Sequence, residues 1–233
     1  MAFSETTRLH YLNAMGITVW QSRLVTPSFT TPFVEPIFSE SVLFENLISD
    51  SWEQLRHDVT QCQACTLCTT RTQTVFGEGN PHATWLFIGE APGQHEDAQG
   101  RPFVGEAGQL LSEMLRAMQL TRDEIFIANI LKCRPPNNRD PHVEEIRQCR
   151  DYLRRQIALI QPKIIIAVGR IAAQALLETT ETIGRLRGKV HCVENIPLIA
   201  IYHPAYLLRS LIEKRKAWQD LQFALHTFKN LEN

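Results

Sequence analysis

Four short apolar runs, each followed by residues at helical spacing, constrain this 233-residue chain more than any other feature. They are Thr84 to Gly89, Glu124 to Asn129, Lys163 to Gly169 and Pro197 to Tyr202. Each reads as a buried strand, and the run from Lys163 is so continuously hydrophobic that both its faces must be covered. The segments between them carry the helical period. Gly105 to Met118 places Leu110, Leu111, Met114, Leu115 and Met118 on one face. Pro141 to Ile160 opens with proline in its first turn and carries Val143, Ile146, Leu153, Ile157 and Ile160. Arg170 to Leu177 and Leu211 to Phe228 complete the set. A further helix is expected near Asp50 to Val59, capped by Asp50 or Ser51. Such alternation predicts an α/β protein, a three-layer α/β/α arrangement around a central, mainly parallel four-stranded sheet.

Residues 1–48 show no sustained period. The stretch from Pro27 to Pro36 is punctuated by prolines, so 1–48 is expected to be an N-terminal extension, extended or partly disordered, ahead of a single domain over 49–233. Lys and Arg number 24 against 25 Asp and Glu, a net charge of −1, which argues against a protein that coats nucleic acid. A local basic face stays compatible with that balance. No run approaches the length of a membrane span and no signal-peptide pattern opens the chain, so a cytoplasmic protein without membrane contact is expected.

In an open parallel sheet, ligands bind beyond the carboxyl ends of the strands. Three of the four strand ends carry polar or flexible chemistry: Gly89-Glu90-Ala91-Pro92-Gly93, Asn129, and His203-Pro204. These groups are distant in sequence, and parallel strands would bring them to one edge.

The six cysteines fall unevenly, with Cys62, Cys65 and Cys68 together, Cys133 and Cys149 further on, and Cys192 alone. Without a secretion signal, metal ligation is a better reading than disulfides. Cys62, Cys65, Cys133 and Cys149 supply four thiolates, suited to tetrahedral zinc or to a [4Fe–4S] cluster, and spacing leaves the two open. Cys192, and with it Cys68, fits a free buried cysteine.

The ordered motifs Cys62-Gln-Ala-Cys65, Val75 to Pro81, Gly89 to Gly93, Gly100-Arg-Pro-Phe-Val-Gly105, Asn129 to Pro136 and His203 to Arg209 resemble the family 4 uracil-DNA glycosylases. The resemblance runs from about Cys62 to Arg209. It implies a [4Fe–4S] cluster on Cys62, Cys65, Cys133 and Cys149. It also implies excision of uracil from single- or double-stranded DNA, with free uracil as product, by a monomer acting in base excision repair.

A glycosylase must flip its base into a pocket with an aromatic platform, hydrogen bonds for the base edge and a means of stabilising charge. Phe103, in its Gly- and Pro-rich loop, is the candidate platform. Asn129 can accept from uracil N3–H and donate to O4. The resemblance places His203 at O2 of the departing uracil anion. Glu90 and Glu96 are the candidate acids for positioning water, and the backbone of Gly89, Glu90 and Ala91 is a further candidate contact to the base. Leu207 and Leu208 are candidate wedges into the duplex, and Arg209 and Arg134 candidate DNA contacts. Lys132, Arg139, Arg185, Arg187 and Lys189 are further phosphate candidates. The loop from Glu96 to Arg101 lacks the basic insertion with which some relatives trap the sugar covalently, so turnover by water is expected, with His95 the one histidine nearby. Competing readings are a glycosylase of broader base preference, a cluster-bearing DNA-binding module without catalysis, and a Rossmann-like nucleotide binder; no G-x-G-x-x-G supports the last.

Overall fold

A computed structural model describes residues 51–231 of the chain; the expected N-terminal extension and Asp50 lie outside the described residues. Helix α1 spans Trp52–Gln61, and Ser51 caps it by accepting the Gln54 N–H at 3.0 Å. The sheet follows as β1 (Glu78–Gly79), β2 (Trp85–Gly89), β3 (Phe126–Asn129), β4 (Ile164–Val168), β5 (His191–Val193) and β6 (Ile196–Ile201). The helices between and after them are α2 (Gln94–Gln99), α3 (Glu106–Ala117), α4 (Val143–Ile160), α5 (Arg170–Leu177), α6 (Ile183–Leu186), α7 (Pro204–Arg209) and α8 (Lys214–Leu231).

Strand order is β1-β3-β2-β4-β6-β5. The four central strands are parallel, as their apolar runs predict, and the two short edge strands pair antiparallel to β3 and β6. Alternate residues of every central strand serve opposite layers. Leu86, Ile88, Ala128, Ile165, Ala167, Leu198 and Ala200 pack with Leu55 of α1, Leu153 and Ile157 of α4 and Ala172 and Ala173 of α5. Trp85, Phe87, Ile127, Ile166, Val168, Ile199 and Ile201 pack with Leu111 and Leu115 of α3 and Leu221 and Ala224 of α8. Both faces are therefore covered, and three layers result.

Two helix starts differ from expectation. Pro141 lies before α4, because the Glu145 carboxylate accepts the His142 N–H at 2.8 Å and fixes the cap at His142. Val143 consequently faces solvent, not the core. Residues Leu211–Glu213 form a 3₁₀ turn ahead of α8, leaving Leu211 and Ile212 exposed. Among the described residues no helix is long and apolar enough to cross a membrane.

Candidate active site and cysteine site

The parallel strands bring Gly89, Asn129 and His203 to one edge of the sheet. Gly89 and Asn129 are register partners on adjacent strands. The ladder continues beyond them, with Ile130 N–H donating to the Gly89 carbonyl at 2.9 Å and Leu131 N–H to that of Glu90 at 3.1 Å. A methyl group on Gly89 would lie 2.4 Å from Asn129 Oδ1 and 2.7 Å from the Phe103 ring. Gly89 thus lets an aromatic ring and an amide meet over a strand end, which no larger residue permits there.

Asn129 is buried, and no described residue hydrogen-bonds its side-chain amide. Its backbone is fixed from below: Lys132 Nζ donates to the Asn129 carbonyl at 2.9 Å and to Gln156 Oε1 at 2.6 Å. Lys132 is 1 % exposed, so it is not a phosphate contact; its short reach to two internal acceptors holds it inside.

Phe103 is buried, and its ring stacks near that of His203, with centroids 5.7 Å apart and planes 29° from parallel. His203 caps α7: its Nδ1 accepts the Ala205 N–H at 3.1 Å. A neutral ring accepting at Nδ1 carries its proton on Nε2. Burial and the positive charge of Arg209 push the His203 pKa down to about 4. The ring is therefore neutral at physiological pH and offers one N–H donor. Gly169, at φ 95°, lies beneath it; a methyl group there would come 2.9 Å from His203 Cβ.

The two candidate acids differ in surroundings. Glu96 Oε1 accepts the N–H groups of Val104 at 2.9 Å and Gly105 at 3.1 Å, so it ties α2 to the Phe103 loop. Its charge also acts on His203. Glu90 follows Gly89 at the strand end, and burial together with nearby Asp140 raises its pKa from 4.5 to about 7, opposed by Arg170. A carboxyl whose folded pKa is raised holds its proton more tightly folded than unfolded. Stability is then lost as pH rises from about 4.5 through about 7. Glu90→Gln is expected to raise the melting temperature at pH 8 and leave it unchanged at pH 4.5, as thermal melts at the two pH values would record. Asp97 is buried and accepts the Thr72 N–H at 2.9 Å, so this acid is structural and not a solvated loop residue.

Ala91 packs against a small buried cluster of Leu67, Leu131, Cys133 and Cys149, joined by Cys65. One pocket is lined by Cys62, Cys65, Cys133 and Cys149 with Leu131, Lys132 and Tyr152. Arg71 Nη1 donates to Cys133 Sγ at 3.0 Å and the Lys132 N–H to Cys149 Sγ at 3.3 Å. N–H donors aimed at sulfur suit thiolates held by a metal centre. Burial raises the Cys65, Cys133 and Cys149 thiols, the last to about 11, so ligation there would release protons. Among the described residues no three His, Cys, Asp or Glu side chains converge as ligands of a single ion. Cys192 is exposed on β5, contrary to the buried cysteine expected there.

The candidate DNA contacts separate by exposure. Leu207 is 1 % exposed in the core under α7, which corrects its reading as a wedge. Its neighbour Leu208 is 40 % exposed, and Arg209 faces solvent. Arg134 is partly exposed, its Nε donating to Asn138 Oδ1 at 2.8 Å. Arg187 is committed to Asp220 at 2.8 Å and to the Lys216 carbonyl at 2.7 Å, and Arg139 to Glu145.

A model of the uracil DNA glycosylase superfamily matches residues 76–222. A type-4 uracil-DNA glycosylase of Archaeoglobus fulgidus is 48 % identical over 168 residues, covering 68 % of this chain and 84 % of that protein. The chain belongs to the uracil-DNA glycosylase superfamily, with the type-4 enzymes. The type-4 enzyme of Thermotoga maritima is 43 % identical over 154 residues, 65 % of this chain and 80 % of its own. Similarity reaches a type-5 uracil-DNA glycosylase of Pyrobaculum aerophilum, 29 % identical over 146 residues and covering 55 % of this chain and 64 % of that one. The superfamily match contains Gly89, Glu96, Phe103, Asn129, Cys133, Cys149 and His203, whereas Cys62 and Cys65 precede it.

Proposed function

We propose that this chain excises uracil from DNA by hydrolysis, with residues 49–233 as the glycosylase domain and the Gly89, Phe103, Asn129 and His203 edge as its base pocket. The observation that carries the reading is the placement of His203: its Nδ1 accepts the Ala205 N–H, and its ring stacks beside Phe103, which meets the buried Asn129 amide over Gly89. Uracil flipped from the helix stacks on Phe103. Asn129 accepts N3–H and donates to O4. As the C1′–N1 bond breaks, its electron pair moves into the base and onto O2, where His203 Nε2–H donates to the growing charge. The Glu96 carboxylate, near His203 and anchored by one oxygen, offsets the cationic sugar and takes a proton from the water whose oxygen bonds C1′. Glu90 lies outside this proton path and contributes through its backbone. Uracil and an abasic site are the products.

Cys62, Cys65, Cys133 and Cys149 fit a [4Fe–4S] cluster by their common pocket and their N–H···S donors. When bound, the cluster supplies a four-point cross-link between the end of α1, the segment after β3 and α4. The protein is proposed to act as a monomer in a reducing cytoplasm, on single- or double-stranded DNA, with Leu208, Arg209 and Arg134 meeting the strand. Cys149→Ser is expected to remove the broad visible absorbance of thiolate-ligated iron and to lower the melting temperature. A variant that keeps its full complement of iron and sulfide would refute this ligand set.

The reaction is tested by incubating the iron-loaded full chain with oligonucleotides bearing one uracil and then treating them with alkali. Cleavage at the uracil position in either single- or double-stranded DNA is expected. No cleavage in either sinks the proposal.

A further inference from the structure

Phe103 adopts φ 52°, in the left-handed region that a bulky L residue rarely enters. Such a conformation persists only where its surroundings enforce it. Here the enforcing group is Arg122, which lies between α3 and β3. Its Nη2 donates to the Pro102 carbonyl at 2.7 Å and its Nη1 to the Phe103 carbonyl at 3.2 Å. Two adjacent carbonyls are thus gripped by one planar guanidinium, whose fork fits paired acceptors as an ammonium cannot. Glu78, 3.4 Å away, balances the charge from β1 and also pairs with Arg101 of the same loop. From the other side α3 presses on the same peptide: a methyl group on Gly108 would come 1.7 Å from the Phe103 carbonyl oxygen.

The geometry points to Arg122 as a positioning residue that holds the Phe103 ring over the base pocket by clamping its backbone in the left-handed conformation. This rests on the reading of Phe103 as the uracil platform and adds the device that sets its orientation. With the clamp released, φ relaxes toward the ordinary region and the ring swings away from His203 and Gly89. Uracil capture then suffers, while binding to undamaged duplex, which does not use the ring, does not.

Single-turnover excision by the full chain tests this in two backgrounds, native and Phe103→Ala, alongside affinity for uracil-free DNA. Arg122→Gln is expected to slow excision by up to about 10²-fold in the native background, as misplacement of a substrate-orienting group does. Arg122→Lys, which keeps the charge but loses the fork, falls between. Affinity for uracil-free DNA stays unchanged. In the Phe103→Ala background the same Arg122 changes add less than about twofold, because residues acting as one unit are not additive. Equal losses in both backgrounds, or weakened uracil-free binding, would overturn the positioning role. Impaired Phe103→Ala beside an unimpaired Arg122→Gln would overturn it alone, whereas a fully active Phe103→Ala would overturn the platform reading itself. Should Arg122→Gln fail to fold, the Arg122→Lys pair decides by the same criterion.

Discussion

His203→Ala is expected to reduce the single-turnover rate of uracil excision by about 10²–10³-fold, the usual cost of losing one donor to a developing oxyanion. Affinity for DNA should be nearly unchanged, because the ring is engaged with Phe103 and the Ala205 N–H while Arg209 and Leu208 face solvent. The prediction follows from a fixed tautomer. Nδ1 is engaged by the Ala205 N–H, so Nε2 carries the only proton. Protonating the ring would set a second N–H against that of Ala205, in addition to the burial and the Arg209 charge that hold its pKa near 4. The His203 contribution should therefore be constant from pH 5.5 to 8, and the ratio of native to His203→Ala rates should not vary across that range. A ratio that collapsed near the ordinary histidine pKa would show that an imidazolium does the work.

Asn129→Ala should cost about 10²–10³-fold in kcat/KM, since the polar edge of the base is left unpaired in a closed site. Asn129→Asp is the more revealing change. At neutral pH a carboxylate still accepts from uracil N3–H, but it turns an acceptor toward O4 and sets a negative charge beside a departing anion. Protonation restores a donor. Excision by Asn129→Asp should therefore rise as pH falls through the carboxyl pKa, which burial keeps above the ordinary value. A pH profile flat for Asn129→Asp and parallel to that of Asn129→Ala would mean that the amide does not read the base edge.

The sheet was legible because its central strands are buried on both faces and so appear as unbroken apolar runs. The edge strands were not. Glu78–Gly79 is two residues long and His191–Val193 carries no apolar alternation, so neither leaves a periodic trace. The strand-end residues were legible as candidates because parallel topology alone brings Gly89, Asn129 and His203 to one edge. Which neighbour of a motif faces inward was not. Leu207 and Leu208 are equally apolar, and only the capped start of α7 at His203 turns the first into the core and the second outward. Lys132 looks like any loop cation until Gln156, twenty-four positions on, supplies an acceptor inside. The Arg122 clamp was invisible for a related reason: it acts on backbone carbonyls, and its need arises from a dihedral angle at Phe103 that sequence pattern does not encode. Gly108 belongs with it, as a residue required by close approach alone, whereas Gly169 is required both by close approach and by its φ of 95°.

The hydrogen-bond ladder that runs on past β2 and β3 bears on how this corner of the molecule breathes. Ile130 and Leu131 donate to the carbonyls of Gly89 and Glu90, so the backbone beneath the proposed base site is a continuation of the central sheet and not a loop laid over it. Backbone groups in such a position open only with the cooperative unit that contains them. The amides of Ile130 and Leu131 should accordingly exchange with solvent deuterium at the slow rate of the core strands. This segment then has no melting step of its own, and on heating its loss should coincide with unfolding of the sheet as a whole.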